Sequence, residues 1–532
     1  MSAARAAAAP ALAAASGLSL LGAHPPVGWW ALTFLAPALL VVALWLDAED
    51  AAVRGRPARG FRLGVVAGLS TFAPLLHWLL LPAGLVGWGL LVAVQSLWMG
   101  LLAWLLTRAL AWRTLPLVAA VLWTGMDAWR AIWPLNGFEW GAIAYAHVDG
   151  SWLLDAARLL GGRAITFLVV LISVAATVAV RMAASAVRSR GEGELERDLD
   201  RRTRVPLTML VGGLLASVLL TVEPPPTTGT IDVLAVQGND VRHWEREEPD
   251  PDPPLRIATA LTERTLAEIA ADGAPDVTVW PESSVDRDPY TPRGEPLGEL
   301  AGEAAAASGR LLTGASLDGP DPATQRLIAA LLLEDGFDEV DRYVKRRLVP
   351  FGEFIPLRRW LEWFPPLEQI PRDAQPGSAP QSMEVVEGVH AAVIICFETV
   401  FADVVRTNVL AGDEPAEVLF TLTNNASFGD SPMPEQHLAQ SQLRAVETGR
   451  WVVHAAISGS SAFISPAGDL EQATSLFTVD AIRAEVPLVD GRTPYLRIGD
   501  VVGWLTRGAL LVAVLVVVGG QVRARRRGGV DG

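Results

Sequence analysis

Residues 63–107 run for 45 positions without a charged side chain, and no other feature of this chain limits its folding as much. The run is more than twice the roughly 20 residues that an apolar helix needs to cross a bilayer. Only a helix or a closed barrel can satisfy the backbone there. The turn signal Leu81-Pro82-Ala83-Gly84 breaks the run, which predicts two spans joined by a tight turn. Further apolar runs over 6–23, 27–46, 114–133, 164–180, 205–222 and 501–520 bring the expected number of spans to eight. The first, Ala-rich run also has the early arginine and small residues of a cleaved leader. A second span follows within a few residues, which favours a retained helix.

Arginine placement orients the spans. Four arginines lie between residues 47 and 62, two between 108 and 113, seven between 181 and 204, and four in the tail from Arg523 to Arg527, whereas the turns at 23–26 and 81–84 carry none. The Arg-rich side is expected to be cytoplasmic. Both termini then lie inside and the long segment 223–500 lies outside. That segment holds 45 acidic and 21 basic residues, while the rest of the chain holds 13 and 22. An acidic exported domain argues against nucleic acid as a partner. The expected organisation is a frame of seven spans over 1–222, an extracytoplasmic domain over 223–500, and the last span with a basic tail over 501–532.

Within the exported segment, apolar and β-branched stretches at 231–238, 277–283, 311–316, 327–334, 389–396, 418–425 and 451–458 read as strands. Helical patterns at 253–271, 298–309 and 434–449 alternate with several of them, which predicts a layered α/β domain with a buried sheet. The sequence has no metal-ligand spacing and no phosphate-binding glycine loop, so the expected mechanism is cofactor-free. A further Trp-rich stretch, 133–152, fits both a segment lying along the bilayer interface and an ordinary aromatic belt.

Two compositional singularities fall in this domain. Lys345 is the one lysine against 42 arginines, and Cys396 is the one cysteine. An isolated cysteine ordinarily behaves as a small hydrophobe. Here, however, the strand-like run 389–396 ends on it and a helical pattern follows, and a nucleophile at such a turn sits beside backbone N–H groups able to hold an oxyanion. A free thiol is only a few per cent thiolate near neutrality, so a catalytic cysteine needs a base or a cation beside it. Glu282, at the end of another strand, is the candidate base. Lysine supplies a compact ammonium that arginine's planar fork does not reproduce.

Trp-Pro-Glu-Ser at 280–283, Lys-Arg-Arg-Leu-Val-Pro-Phe-Gly-Glu-Phe-Ile-Pro at 345–356, Cys-Phe-Glu at 396–398 and the block 423–450 together resemble the nitrilase-superfamily domain of apolipoprotein N-acyltransferases. The eight-span frame, with this domain inserted before the last span, is similar to the same family over nearly the whole chain. The resemblance implies an α/β protein in which a polytopic eight-helix membrane domain carries an exported nitrilase-like αββα sandwich, located in the bacterial cytoplasmic membrane. It implies a Glu282, Lys345 and Cys396 triad that moves an acyl group from a phospholipid, through a thioester, to the α-amino group of a diacylglyceryl-cysteine lipoprotein.

The same resemblance marks Glu353 as a further active-site carboxylate, orienting Lys345; an ion pair with Arg346 or Arg347 is the competing reading. Glu398 orders the cysteine turn or starts a surface helix. Trp244 falls where the family has a mobile-loop tryptophan near the site, which also fits an interface tryptophan. Asn424 and His437 read as structural. The chain departs from the family pattern at Phe397, where tyrosine is common, and at Asn425 and Ser427, where the family usually has an acid and a tryptophan. Two other functions fit the residues. One is a membrane-tethered amidohydrolase, in which water resolves the thioester. The other is a non-catalytic scaffold.

Overall fold

The computed structural model describes residues 2–188, 195–240, 250–361 and 370–528. Two compact units divide the chain, Met1–His77 with Leu85–Val222 and Asp500–Gly532, and Trp78–Gly84 with Glu223–Gly499.

The first unit is helical. Its elements are α1 (Ser2–Ala23), α2 (Leu32–Val53), α3 (Gly60–Leu75), α4 (Leu80–Ala109), α5 (Leu115–Arg130), the short α6 (Asp155–Leu160), α7 (Gly162–Arg188) and α8 (Leu195–Leu219). Helices occupy the expected spans, but among the described residues four have the length and apolarity to cross a membrane: Leu32–Val53, His77–Ala109, Gly162–Ser185 and Val501–Arg523. The apolar stretches Ala7–Ala23, Gly60–Leu75 and Arg204–Leu219 are shorter. The break expected at 81–84 falls on Gly84, whose φ of 61° leaves the helical region.

The charges of α5 turn inward. Arg130 donates from Nη1 to Asp127 (2.8 Å), from Nε to Gln95 (2.6 Å) and from Nη2 to the Trp140 carbonyl (2.6 Å). A buried guanidinium is tolerated when its donors are met in this way. The stretch 133–152 is mostly interior: Trp133 and Trp152 are exposed, but Trp140 and Ala142 to Val148 are buried.

The second unit contains two sheets. Its elements are β1 (Thr227–Gln237), α9 (Pro253–Asp272), β2 (Val277–Val279), α10 (Glu295–Ser308), β3 (Arg310–Asp318), β4 (Gln325–Glu334), β5 (Asp338–Val344), α11 (Arg358–Leu361), β6 (Asp373–Ala374), β7 (Ser382–Val386), β8 (Val389–Ile395), α12 (Ala402–Val409), β9 (Val418–Thr423), α13 (Met433–Thr448), β10 (Val452–Ala456), β11 (Ala462–Ile464), β12 (Leu470–Ala473), β13 (Asp480–Val489) and α14 (Pro494–Ile498). The helix α15 (Val501–Gly528) returns to the first unit.

One sheet has the order β13-β1-β2-β3-β4-β5, with β6 beside β4; the other runs β12-β11-β10-β9-β8-β7. Period-two alternation assigns the faces. Ala391, Val393 and Ile395 of β8 meet Val233, Val279 and Ala330 in a core between the sheets. Ala392 and Ile394 pack outward with residues of α12, α13 and α14. Leu234, Leu311 and Leu331 pack outward with α9 and α10. The result is four layers, helix, sheet, sheet, helix. Helix α9 starts where Pro253 presets the backbone and the Asp252 carboxylate accepts from Leu255 N–H at 3.3 Å.

Candidate active site

Glu282, Lys345 and Cys396 come together because three strands end at one edge of the sandwich. Glu282 lies just beyond β2, Lys345 directly follows β5, and Cys396 directly follows β8. The Lys345 backbone is held on both sides, its N–H donating to Ile328 O on β4 and its carbonyl accepting from Gly377 N–H in the loop after β6, both at 2.9 Å. Gly314 on β3 lets the Glu282 segment close in, since a Cβ there would sit 2.5 Å from Glu282 Cα and from Pro281 O. Cys396 opens a 3₁₀ turn, Cys396–Val400, with φ of +47°, a left-handed conformation that non-glycine residues rarely adopt and that surrounding contacts must hold.

The Lys345 ammonium is fully buried and donates to Glu282 Oε1 (2.9 Å) and Glu353 Oε1 (2.5 Å). The remaining carboxylate oxygens accept from backbone N–H groups, Glu282 Oε2 from Asn424 (3.0 Å) and Glu353 Oε2 from Val349 (2.9 Å). Glu353 therefore engages Lys345 and neither neighbouring arginine. Arg346 reaches Thr407 and Asn408, and Arg347 reaches Asp403. Burial pulls the Lys345 ammonium down, but the carboxylates of Glu282 and Glu353 outweigh it and hold the group well above its ordinary value. The lysine stays charged. Burial, followed by the Glu282 charge, pushes the Cys396 thiol up to about 12, with Lys345 opposing. At rest the sulfur carries its proton.

Glu398 is no surface helix-start residue. It is fully buried and accepts from the Tyr343 hydroxyl (2.9 Å), Arg346 N–H (2.7 Å), Arg347 N–H (3.1 Å) and Ile395 N–H (3.0 Å). One carboxyl group thus bridges the segment that follows Lys345 to the strand that ends at Cys396. Burial raises its pKa, and the Ile395 and Arg346 N–H groups, the Lys345 charge and the Tyr343 hydroxyl work against that rise. Trp244 lies outside the described residues.

A second set of contacts closes around the cysteine. His437, on α13, donates from Nε2 to the Cys396 carbonyl at 3.1 Å. Because a carbonyl only accepts, Nε2 carries the proton and Nδ1 is an acceptor. Burial lowers the imidazole pKa to about 4, so the ring is neutral. Nδ1 lies 3.3 Å from both the Asn425 amide and the Thr423 hydroxyl. Asn425 faces Nδ1 with its Oδ1 and its buried NH₂ has no partner among the described residues, so an amide turned by 180° would satisfy both groups. The Thr423 side chain also offsets part of the rise in the Cys396 thiol pKa. His437, Asn425 and Thr423 form this set; in the sequence His437 reads as structural and Asn425 as a departure from the family pattern, and Thr423 is not singled out. The signal available was Asn425 itself, an amide where an acid is usual.

Cys396, Glu282 and Glu353 line a cavity of about 290 Å³. Its apolar wall includes Ile328, Val349, Phe351 and Phe428, together with Leu79, Pro82 and Ala83. Those last three belong to a segment anchored by Trp78, which stacks edge-on against Phe428 at 5.0 Å and donates to Gln436 at 3.2 Å. A buried thiol, a carboxylate and a paired ammonium beside an apolar pocket suit acyl transfer through sulfur.

Comparisons with known proteins point the same way. A family model described as apolipoprotein N-acyltransferase N-terminal domain matches residues 16–175, and one described as carbon-nitrogen hydrolase matches residues 253–493. The apolipoprotein N-acyltransferase of Geobacter metallireducens is 29% identical over 525 residues, covering 95% of this chain and 94% of that protein. The protein of the same name from Gloeobacter violaceus is 30% identical over 543 residues, covering 97% and 95%. That from Mycolicibacterium smegmatis is 31% identical over 524 residues, covering 94% and 82%.

Proposed function

The chain belongs to the apolipoprotein N-acyltransferase family, and from that premise we propose that it transfers a fatty acyl group from a membrane phospholipid to the N-terminal amine of a diacylglyceryl-cysteine lipoprotein. The observation that carries the reading is the lone thiol of Cys396 opening into the same apolar cavity as Glu282, with Lys345 bound behind that carboxylate.

Glu282 is the general base. A thiol held up to about 12 supplies almost no thiolate by itself, so its proton passes to Glu282 as sulfur attacks the ester carbonyl. Lys345, with backbone N–H groups, holds the oxyanion of the tetrahedral adduct. The ester C–O bond breaks, Glu282 returns the proton to the departing glycerol oxygen, and lysophospholipid leaves an acyl thioester on Cys396. The lipoprotein amine then attacks, Glu282 takes its proton, the C–S bond breaks, and sulfur recovers a proton. Glu353 positions Lys345, and Glu398 positions the cysteine turn against the lysine segment. Trp244 contacts acyl chains in this reading.

The chain is a membrane protein, and we assign it eight spans, counting 1–222 and 501–532 as the frame. Residues 223–500 form the catalytic domain on the outer face of the cytoplasmic membrane, with both termini inside. The arginine asymmetry of the connections supports that orientation.

The test is to incubate the purified protein with phospholipid and a synthetic peptide bearing an N-terminal diacylglyceryl-cysteine. A peptide heavier by one acyl group, stable to hydroxylamine, is expected. Free fatty acid with unmodified peptide would show that water resolves the thioester, making the protein an amidohydrolase-type enzyme.

A further inference from the structure

Arg326 stands out among the charged groups of the cavity. It lies on β4, and its parity with Ile328, Ala330 and Leu332 puts it on the inter-sheet face, where it lines the same cavity as Cys396. Ile328, two residues along the strand, accepts the Lys345 N–H. Arg326 therefore stands about 7 Å along the strand from the triad's attachment point.

The acids beside Arg326 are taken by other arginines. Asp318, directly across the ladder from Arg326, pairs with Arg372 at 2.6 Å. Asp373, next to the Ala374 that faces Arg326, pairs with Arg358 at 2.6 Å. Among the described residues the Arg326 side chain has neither a hydrogen-bond nor an ionic partner, and the same holds for the hydroxyl of Ser283, also on the cavity wall. Lys345 lies behind the wall and is paired with two carboxylates, so among the described residues Arg326 is the cation that lines this cavity. A guanidinium presents a planar fork of donors that matches the oxygens of a phosphodiester, and it is weakly hydrated, so binding costs little desolvation.

We propose that Arg326, assisted by the Ser283 hydroxyl, is a phosphate-binding residue that holds the phosphodiester of the donor lipid while its ester reaches Cys396. This rests on the acyl-transfer reading above. In a phospholipid, one glycerol unit separates the scissile ester from the phosphate. A cation on the wall of the thiol's own cavity suits that arrangement.

The experiment measures Cys396 thioester formation by intact mass in detergent micelles, with two donors at sub-saturating concentration. One is phosphatidylethanolamine, and the other is p-nitrophenyl palmitate, an ester without phosphate. The quantity read is the ratio of the two rates, in wild type, Arg326→Gln and Arg326→Lys. Losing a charge-assisted pair worth about 1.5 to 3 kcal/mol should lower the ratio about ten- to a hundredfold in Arg326→Gln. Arg326→Lys keeps the charge but loses the fork, and should fall between. A ratio in Arg326→Gln equal to that of wild type overturns the proposal, whether both rates hold or both fall together as they would in a misfolded variant. Wild-type protein that takes acyl groups from the nitrophenyl ester but not from phospholipid would refute the phospholipid-donor reading itself.

Discussion

Replacing Glu398 with glutamine should separate the cysteine turn from the lysine segment while changing the side chain's volume very little. Glu398 Oε1 accepts from Arg346 and Arg347 N–H, and Oε2 accepts from Ile395 N–H, with Tyr343 shared between the two oxygens. An amide can accept on one side only. If its oxygen keeps the two arginine amides, its NH₂ faces the Ile395 N–H, donor against donor. The lost charge-assisted bond is worth about 1.5 to 3 kcal/mol, and the orphaned buried N–H about 1 to 3. Burial makes the native carboxylate costly, and relief of that cost offsets part of the loss, leaving a net destabilisation of about 2 to 4 kcal/mol. For a unit of this size that corresponds to a melting shift on the order of 10 °C. Displacing the thiol by about 1 Å costs on the order of a hundredfold in rate. Thermal unfolding in detergent and the rate of thioester formation read the two effects. A Glu398→Gln protein that melts with wild type and acylates at the wild-type rate would refute the bridging role.

Alkylation of Cys396 by iodoacetamide should rise about tenfold per pH unit from 7 to 10 without levelling off, because burial holds the thiol neutral until about 12; a plateau near pH 9 would contradict this. Gly314→Ala places a methyl group 2.5 Å from Glu282 Cα and Pro281 O, and should cut thioester formation at least a hundredfold or prevent folding, whereas an active, stable variant would show that the close approach does not matter. His437→Ala removes the donor to the Cys396 carbonyl. It should cost about 1 to 3 kcal/mol of stability and slow acylation about tenfold, and wild-type kinetics would assign the histidine to packing alone.

What the sequence made legible was set by contrast with its surroundings. Lys345 and Cys396 stood out because every other basic residue is arginine and no other cysteine exists. Strands β1, β3, β4, β8, β9 and β10 were readable as apolar runs because they are buried for most of their length. Strand β12 is exposed throughout, and β5 carries Asp338, Glu339, Asp341 and Arg342; ladder pairing holds them, and their composition does not advertise it. Arg326 was one arginine among 42, distinguished only by which acids its neighbours had already taken. That His437, Asn425 and Thr423 act together at the cysteine was not legible, because a buried, satisfied histidine has no local signature and its partner Cys396 is 41 residues away. The interior of 133–152 was likewise hidden, since tryptophan suits an interface and a core alike.

The central claim is that sulfur carries the acyl group. Purified protein is incubated with phospholipid and no acceptor, and its intact mass is recorded before and after treatment with neutral hydroxylamine. A gain of one fatty acyl group that hydroxylamine removes, and that Cys396→Ala never acquires, is the predicted result. Folded protein that stays unmodified, or a Cys396→Ala variant that gains the same mass, would contradict it.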